Sequence, residues 1–452
     1  MIKNSKIIEK QVLDKISPSE KEKEKIRRTT SQVILEVKKE IKKYDIDLSI
    51  ELVGSIAKKT FLKDNLDIDI FVLFPTDISR TKLQNIGLSI GKTILKNQEE
   101  CFAEHPYIRG TFKGLKTEIV PCYKIESASQ KLSAVDRTPL HTDYIKKHLT
   151  QQQKKEVLLF KQFLRGIGCY GAEAEIEGFS GYLCEILIIK YSTFQSIIEH
   201  AQNWRYGHKI NLKNENSPEF FTPLVFIDPV DSQRNVASAL SDEKFHLFKK
   251  ACKEYIKEPR LTFFFPNEIK PWTIKKIIDK IEEKKIIGIK IKKPSIISEN
   301  LYPQIRKTLR SIESLCEQHD FPIIDSQFFI DVKNIYVIFF PINLEISRTK
   351  IHMGPPIEME KNAKEFYIRW QKNKRTIKGP YEKNERLYVE IEREYFQIEN
   401  LLRKQIPKLS LGKHIDNNVK QYFCIITKKD IIIDPLRTFW TEYLDEKMSW
   451  ER

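Results

Sequence analysis

Residues 54–72 read GSIAKKTFLKDNLDIDIFV, and the two ends of this stretch carry the reading of the chain. Its second half opens DIDIFVLF, rich in β-branched and aromatic residues, so Asp67 to Phe74 is predicted to be a strand. Side chains alternate along a strand, which sends Asp67 and Asp69 to one face and Ile68 and Ile70 to the other. Two carboxylates side by side repel unless a cation neutralises them. Hard oxygen donors suit Mg2+, which commonly keeps phosphate ligands as well. Taken alone, Asp-x-Asp is an ordinary surface pair.

The other end changes that reading. Gly54-Ser55 stands thirteen residues before Asp67 and closes a second alternating segment, Asp47 to Val53, with Leu48, Ile50 and Leu52 on one side. Glycine lets a backbone approach phosphate, and the Ser55 hydroxyl and neighbouring amides can bond its oxygens. A later strand, Thr117 to Tyr123, brings a third acid, Glu118. Two strands, a phosphate turn and three carboxylates are what nucleotidyl transfer requires. One metal activates a 3′-hydroxyl and the other holds the triphosphate and its leaving group.

Working outward, the 452 residues suffice for about three domains. Ser19 to Tyr44 carries Ile26, Ile34, Val37 and Ile41 at helical spacing, so helix, strand, turn and strands form a first domain over residues 1–150. Five of the 15 glycines fall between Gly166 and Gly181, where a helix from about Gln151 stops at Gly166 and Gly168. Another runs from Ser180, its N-cap, towards His200, so residues 151–258 read as a helical domain. In residues 259–452 strand-like runs at Leu261–Phe265, Ile286–Ile291, Ile330–Phe340 and Ile425–Ile433 alternate with lysine-rich helical stretches. The fold class is therefore α+β.

Lys and Arg total 78 against 62 Asp and Glu, a net charge of +16 that favours a polyanionic partner such as RNA. Seven cysteines form no CxxC pair, and their odd number argues against a disulfide framework and for a reducing compartment. No apolar run reaches the ~18 residues of a membrane span, and the opening has no apolar core of a signal peptide. The expectation is a soluble, cytoplasmic protein with no membrane partner.

At this point the sequence resembles a family. GSIAKKTFLKDNLDIDIFV is similar to the signature of the nucleotidyltransferase superfamily that includes polymerase β and poly(A) polymerases. AEHPYIRGTFKGLKTEIVPCYKI, SAVDRTPLHTDYI, LLFKQFLRGIGCYGAEAEIEGFSGYLCEILI and IDPVDSQRNVASALS, between Ala103 and Ser241, look like the archaeal-type, class I CCA-adding enzymes. GPP at Gly354–Pro356 extends the likeness into the last third, and the RRD and EDxxR motifs of class II enzymes are absent from the sequence. The resemblance implies a polymerase β-like catalytic head, a helical nucleotide-recognition domain and an α+β tRNA-binding region. It implies a metal-dependent enzyme that adds C, C and A to tRNA from CTP and ATP, and it admits a homodimer. Asp67, Asp69 and Glu118 would be catalytic and bind Mg2+. Ser55, Lys58, His141, Lys161, Tyr170 and Arg234 would contact the nucleotide, Arg234 at the base.

Two positions depart from the family pattern. Lys58 stands where Arg is usual, giving a point charge in place of a planar fork, and Glu118 stands where Asp is usual. Each carried-over residue also has a plainer reading. Lys161 could run along an apolar stripe, Tyr170 could be core, and Arg234 could pair with Asp228 or Asp231. A poly(A) polymerase or other terminal RNA nucleotidyltransferase shares the Gly-Ser and Asp-x-Asp parts. An RNA-binding protein with an inactive fold of this type is the alternative of another class.

Overall fold

The structure, a computed structural model, describes all residues but Met1, Asn65 and Ala103, and of residues 2–4 only the backbone. Asn65 within the Gly-Ser to Asp-x-Asp stretch, and Ala103 at the start of its longer block, thus lie outside the described residues. The chain forms two compact units, Met1–Glu268 with Lys447–Arg452, and Ile269–Glu446.

The first unit begins with helices α1 (Ile2–Ile16) and α2 (Glu20–Ile41). Ser19 caps α2 in a reciprocal pair with Glu22, the signature of a helix start. Strand β1 (Ser49–Val53), helix α3 (Gly54–Lys58), strand β2 (Asp67–Phe74) and helix α4 (Arg80–Ile94) follow, then strands β3 (Lys96–Phe102), β4 (Pro106–Phe112) and β5 (Leu115–Tyr123). These five strands form one sheet in the order β1-β2-β5-β4-β3. Only β2 and β5 run parallel in it. On one face Ile68, Ile70, Val72 and Phe74 are buried against Ile26, Val33 and Val37 of α2 and Leu83 and Ile90 of α4. Each such fully buried side chain contributes roughly 1.5–3 kcal/mol. That packing orients β2, and so forces Asp67 and Asp69 onto the other face.

Helices α5 (Arg137–His148), α6 (Gln151–Gly166), α7 (Gly181–Tyr191) and α8 (Phe194–Ala201) come next, with strands β6 (His208–Asn211) and β7 (Leu224–Ile227) and helix α9 (Asp242–Lys257). The predicted single helix from Ser180 to His200 is thus two helices, broken at Ser192 (φ 70°), after which Thr193 caps α8. The predicted strand at Leu261–Phe265 is instead a 3₁₀ turn, Leu261–Phe263, because Phe263 and Phe264 pack into the helical core around Phe163, Phe194 and Tyr255.

The second unit contains α10 (Ile274–Ile281), β8 (Ile287–Lys292), α11 (Ser298–Gln318), β9 (Ile323–Ile330), β10 (Asn334–Pro341), β11 (Thr349–Pro356), α12 (Glu360–Gln371), β12 (Thr376–Lys383) and β13 (Arg386–Glu392). It ends with α13 (Ile398–Gln405), α14 (Lys413–Gln421), β14 (Phe423–Thr427), α15 (Lys428–Ile431) and α16 (Arg437–Asp445). A four-stranded antiparallel sheet, β14-β8-β10-β9, has α11, α13 and α14 on one face and α10 and α16 on the other. A three-stranded sheet, β11-β13-β12, packs on α12. The predicted strand Ile330–Phe340 is the end of one strand, a turn and a second strand, since Asp331 bonds the amides of Lys333 and Asn334 and reverses the chain. The predicted run Ile425–Ile433 leaves the sheet after Thr427, the N-cap of α15, whose amide and hydroxyl donate to Asp430. No helix among the described residues is long and apolar enough to cross a membrane.

Candidate active site

The parallel register of β2 and β5 sets Asp69 opposite Glu118, with Asp67 one side-chain repeat along the same face. Gly54 closes this group from the end of β1. Its φ is +71°, and a Cβ there would lie 1.8 Å from Asp69 Oδ2, so only glycine can bring the backbone against that carboxylate. The expected turn at Gly54-Ser55 is the first turn of α3, which ends at Lys59 in the left-handed region. Ser55 is half-buried. Burial, and then the neighbouring Glu118 and Asp67, push the Asp69 carboxyl up to about 8 against the pull of Lys58 and Arg109. Glu118 accepts a bond from Arg109 Nε at 2.7 Å. Among the described residues no three acidic, histidine or cysteine side chains converge into a ready-made metal cage.

Lys58 and Lys161 form a second group. Lys58 Nζ donates to Glu185 Oε2 at 2.6 Å, and Lys161 Nζ donates to the Thr60 carbonyl at 2.9 Å and to Glu185 Oε1 at 3.4 Å. Thr60 Oγ1 donates to the same carboxylate at 2.5 Å. Glu185 is fully buried. Burial raises its carboxyl, but Lys58 and Lys161 outweigh burial and hold it below the usual value. Both lysines are almost wholly buried, so Lys161 does more than lie along an apolar stripe. Tyr170 is brought beside them by the glycine cluster. The loop after α6 folds onto itself through Gly171 N to Phe179 O and Gly178 N to Gly171 O, at 2.9 and 2.8 Å. A Cβ on Gly181 would then meet the Tyr170 hydroxyl at 3.4 Å and Lys161 Nζ at 3.6 Å.

The third group surrounds Asp228, also fully buried. His141 Nε2 lies 2.8 Å from Oδ2, Arg234 Nη1 donates to Oδ2 at 2.9 Å, and the Tyr182 hydroxyl donates to Oδ1 at 3.0 Å. His141 stacks on Tyr182 with centroids 4.1 Å apart. Arg234 therefore takes the pairing with Asp228, while Asp231 takes Lys131 and Arg137. The Arg234 side chain keeps 32% exposure, which leaves donors of its fork open. Adjacent residues at the start of α7 join the last two groups, Gly181 against Lys161 and Tyr182 against Asp228.

Glu185, Tyr182 and Asp228 were not among the predicted site residues. Glu185 had a signal: it is a charge inside the apolar run LCEILII, which requires a buried partner. Tyr182 had none.

A nucleotidyltransferase domain model matches residues 34–141. A model of the second domain of tRNA nucleotidyltransferases matches 155–265, and one of the C-terminal domain of the CCA-adding enzyme matches 282–428. The chain is 36% identical to the CCA-adding enzyme of Methanosarcina acetivorans over 93% of each chain. The chain belongs to the CCA-adding enzyme family. It is also 35% identical to the CCA-adding enzyme of Archaeoglobus fulgidus, over 99% of this chain and 100% of that one. Among solved structures it is similar to CdnC of E. coli MS115-1 with ATP, at 18% identity over 57% of this chain and 94% of that one, with a TM-score of 0.44. As in the nucleotidyltransferase superfamily generally, the chemistry of a CCA-adding enzyme calls for divalent metal ions.

Proposed function

We propose that the face shared by Asp67, Asp69 and Glu118 is the catalytic platform for the family reaction, the addition of C, C and A to the 3′ end of tRNA from CTP and ATP without a nucleic-acid template. The observation that carries this is the register setting Asp69 beside Glu118, with Gly54 against the Asp69 carboxylate. The donors fit Mg2+: they are hard oxygens, and burial together with the neighbouring Glu118 and Asp67 disfavours the charged Asp69 carboxylate until a cation neutralises it. Mg2+ held by Asp67, Asp69 and Glu118 supplies activation of the 3′-hydroxyl and neutralisation of the triphosphate.

The remaining residues bind and orient. Lys58 and Lys161 carry two positive charges against the single one of Glu185, so the group retains an excess positive charge that a phosphate completes. The Ser55 hydroxyl adds a neutral hydrogen bond to the same phosphates. His141 and Arg234, held by Asp228, face the nucleotide, and the open donors of Arg234 distinguish C and A from U and G. Hydrogen-bonding sites reject mismatched groups better than apolar pockets do. Residues 1–150 then serve as catalytic head, 151–258 as nucleotide-recognition domain and 259–452 as tRNA-binding region.

The test uses tRNA lacking its terminal CCA with labelled CTP and ATP. Asp67→Asn and Asp69→Asn each abolish incorporation of both C and A, while the tRNA dissociation constant at fixed salt stays unchanged. Loss of A addition alone, with normal C addition, overturns the assignment.

A further inference from the structure

A cleft of about 700 Å³ lies on the side of α3 away from the lysines and Glu185, between α2, β1 and the start of α6. Its size falls within the usual range of small-molecule sites. Ile34, Leu52, Phe61 and Leu158 give it an apolar floor, and no carboxylate lines it. Of the cations around it, Lys23 and Arg27 are paired with Glu20 and Glu24 on their own helix. Lys59, Lys154 and Lys155 have no acidic partner among the described residues.

Lys154 and Lys155 stand near the N-terminus of α6, a helix with no acid in its first turn, where the helix dipole already favours an anion. Burial, and then the neighbouring Lys59, push the Lys154 ammonium below its usual value. Thr30, only 6% exposed, contributes to the wall of the cleft.

We infer that this cleft binds a small phosphate monoester carried on an apolar or aromatic body, with the body on the Ile34, Leu52, Phe61 and Leu158 floor and the phosphate among Lys59, Lys154 and Lys155. Three unpaired ammoniums favour a head bearing close to two negative charges at neutral pH over a carboxylate with one. The site is separate from the triphosphate group, because α3 turns Lys58 towards Glu185 and presents Ile56, Ala57 and Lys59 to the cleft.

The experiment is calorimetric titration of the full-length protein with 1-naphthyl phosphate, in the presence of saturating CTP and Mg2+. Saturable binding at one site, undiminished by CTP, is expected, with 1-naphthoate weaker and 1-naphthol and inorganic phosphate weaker still. Lys154→Glu raises the dissociation constant about tenfold or more, as expected for reversing one charge-assisted contact. CCA addition without the probe is unchanged in Lys154→Glu. Absence of saturable binding, displacement by CTP, equal affinity for 1-naphthol, or an unchanged dissociation constant in a Lys154→Glu protein with normal activity each overturns the inference.

Discussion

Asp228 shows what one buried acid does in this protein. Burial alone raises its carboxyl, but His141, the Val230 amide and Arg234 outweigh burial and hold it well below the carboxylate range. An unfolded aspartate titrates near ~3.9, so the native state binds fewer protons and the stabilisation is fully present above about pH 4. It is lost as pH falls below that, at up to about 1.4 kcal/mol per pH unit. The urea midpoint of the parent should therefore fall more steeply below about pH 4 than that of Asp228→Asn, and parallel curves would remove Asp228 from the account. Glu185 makes the complementary case, since Glu185→Gln keeps the shape but leaves Lys58 and Lys161 buried without a counter-charge. Breaking such a group costs about 3–5 kcal/mol, read as a lowered urea midpoint. Glu185→Gln should also raise the KM for CTP and ATP together, because the two lysines lose their positions rather than a base contact.

At the scale of elements, β2 and α3 meet through Gly54. The even-numbered residues of β2 are fixed by the apolar core, so its odd-numbered acids are fixed too, and only a backbone without Cβ fits against Asp69. Gly54→Ala places a methyl inside the Asp69 carboxylate and forces a residue with a side chain to φ +71°. The left-handed conformation alone costs about 1–2 kcal/mol, and the collision displaces Asp69. Denaturant unfolding should report at least that loss, and incorporation of C and A should fall together. Full activity in Gly54→Ala would show that Asp69 tolerates displacement. The strand and the glycine were legible in the sequence because alternation and φ are local properties. The short helix at Gly54–Lys58, the break at Ser192 and the reversal at Asp331 were not, because each depends on what the segment packs against or caps.

For the whole molecule, the net charge of +16 suits a polyanionic substrate such as tRNA. If residues 259–452 bind tRNA through phosphates, affinity falls with salt at a log-log slope of about 0.7–0.9 per neutralised phosphate. A charge-reversal series on exposed lysines of that region should flatten the slope stepwise while leaving Asp67, Asp69 and Glu118 in place. Equal slopes in the parent and every variant would refute anchoring there. Several aromatics of that region are structural: Tyr336 and Phe339 are buried and Phe328 and Phe329 partly so. By itself the sequence determined the acidic face of Asp67 and Asp69, the glycine beside it and the family, since these rest on alternation, backbone freedom and contiguous motifs. Only the tertiary structure decided that Glu118 lies opposite Asp69, that Lys58 and Lys161 share Glu185 across separations of 127 and 24 residues, and that Asp228 gathers His141, Tyr182 and Arg234. The physical reason is that a buried charge must find its counter-charge wherever the fold brings one, and sequence distance does not constrain that choice.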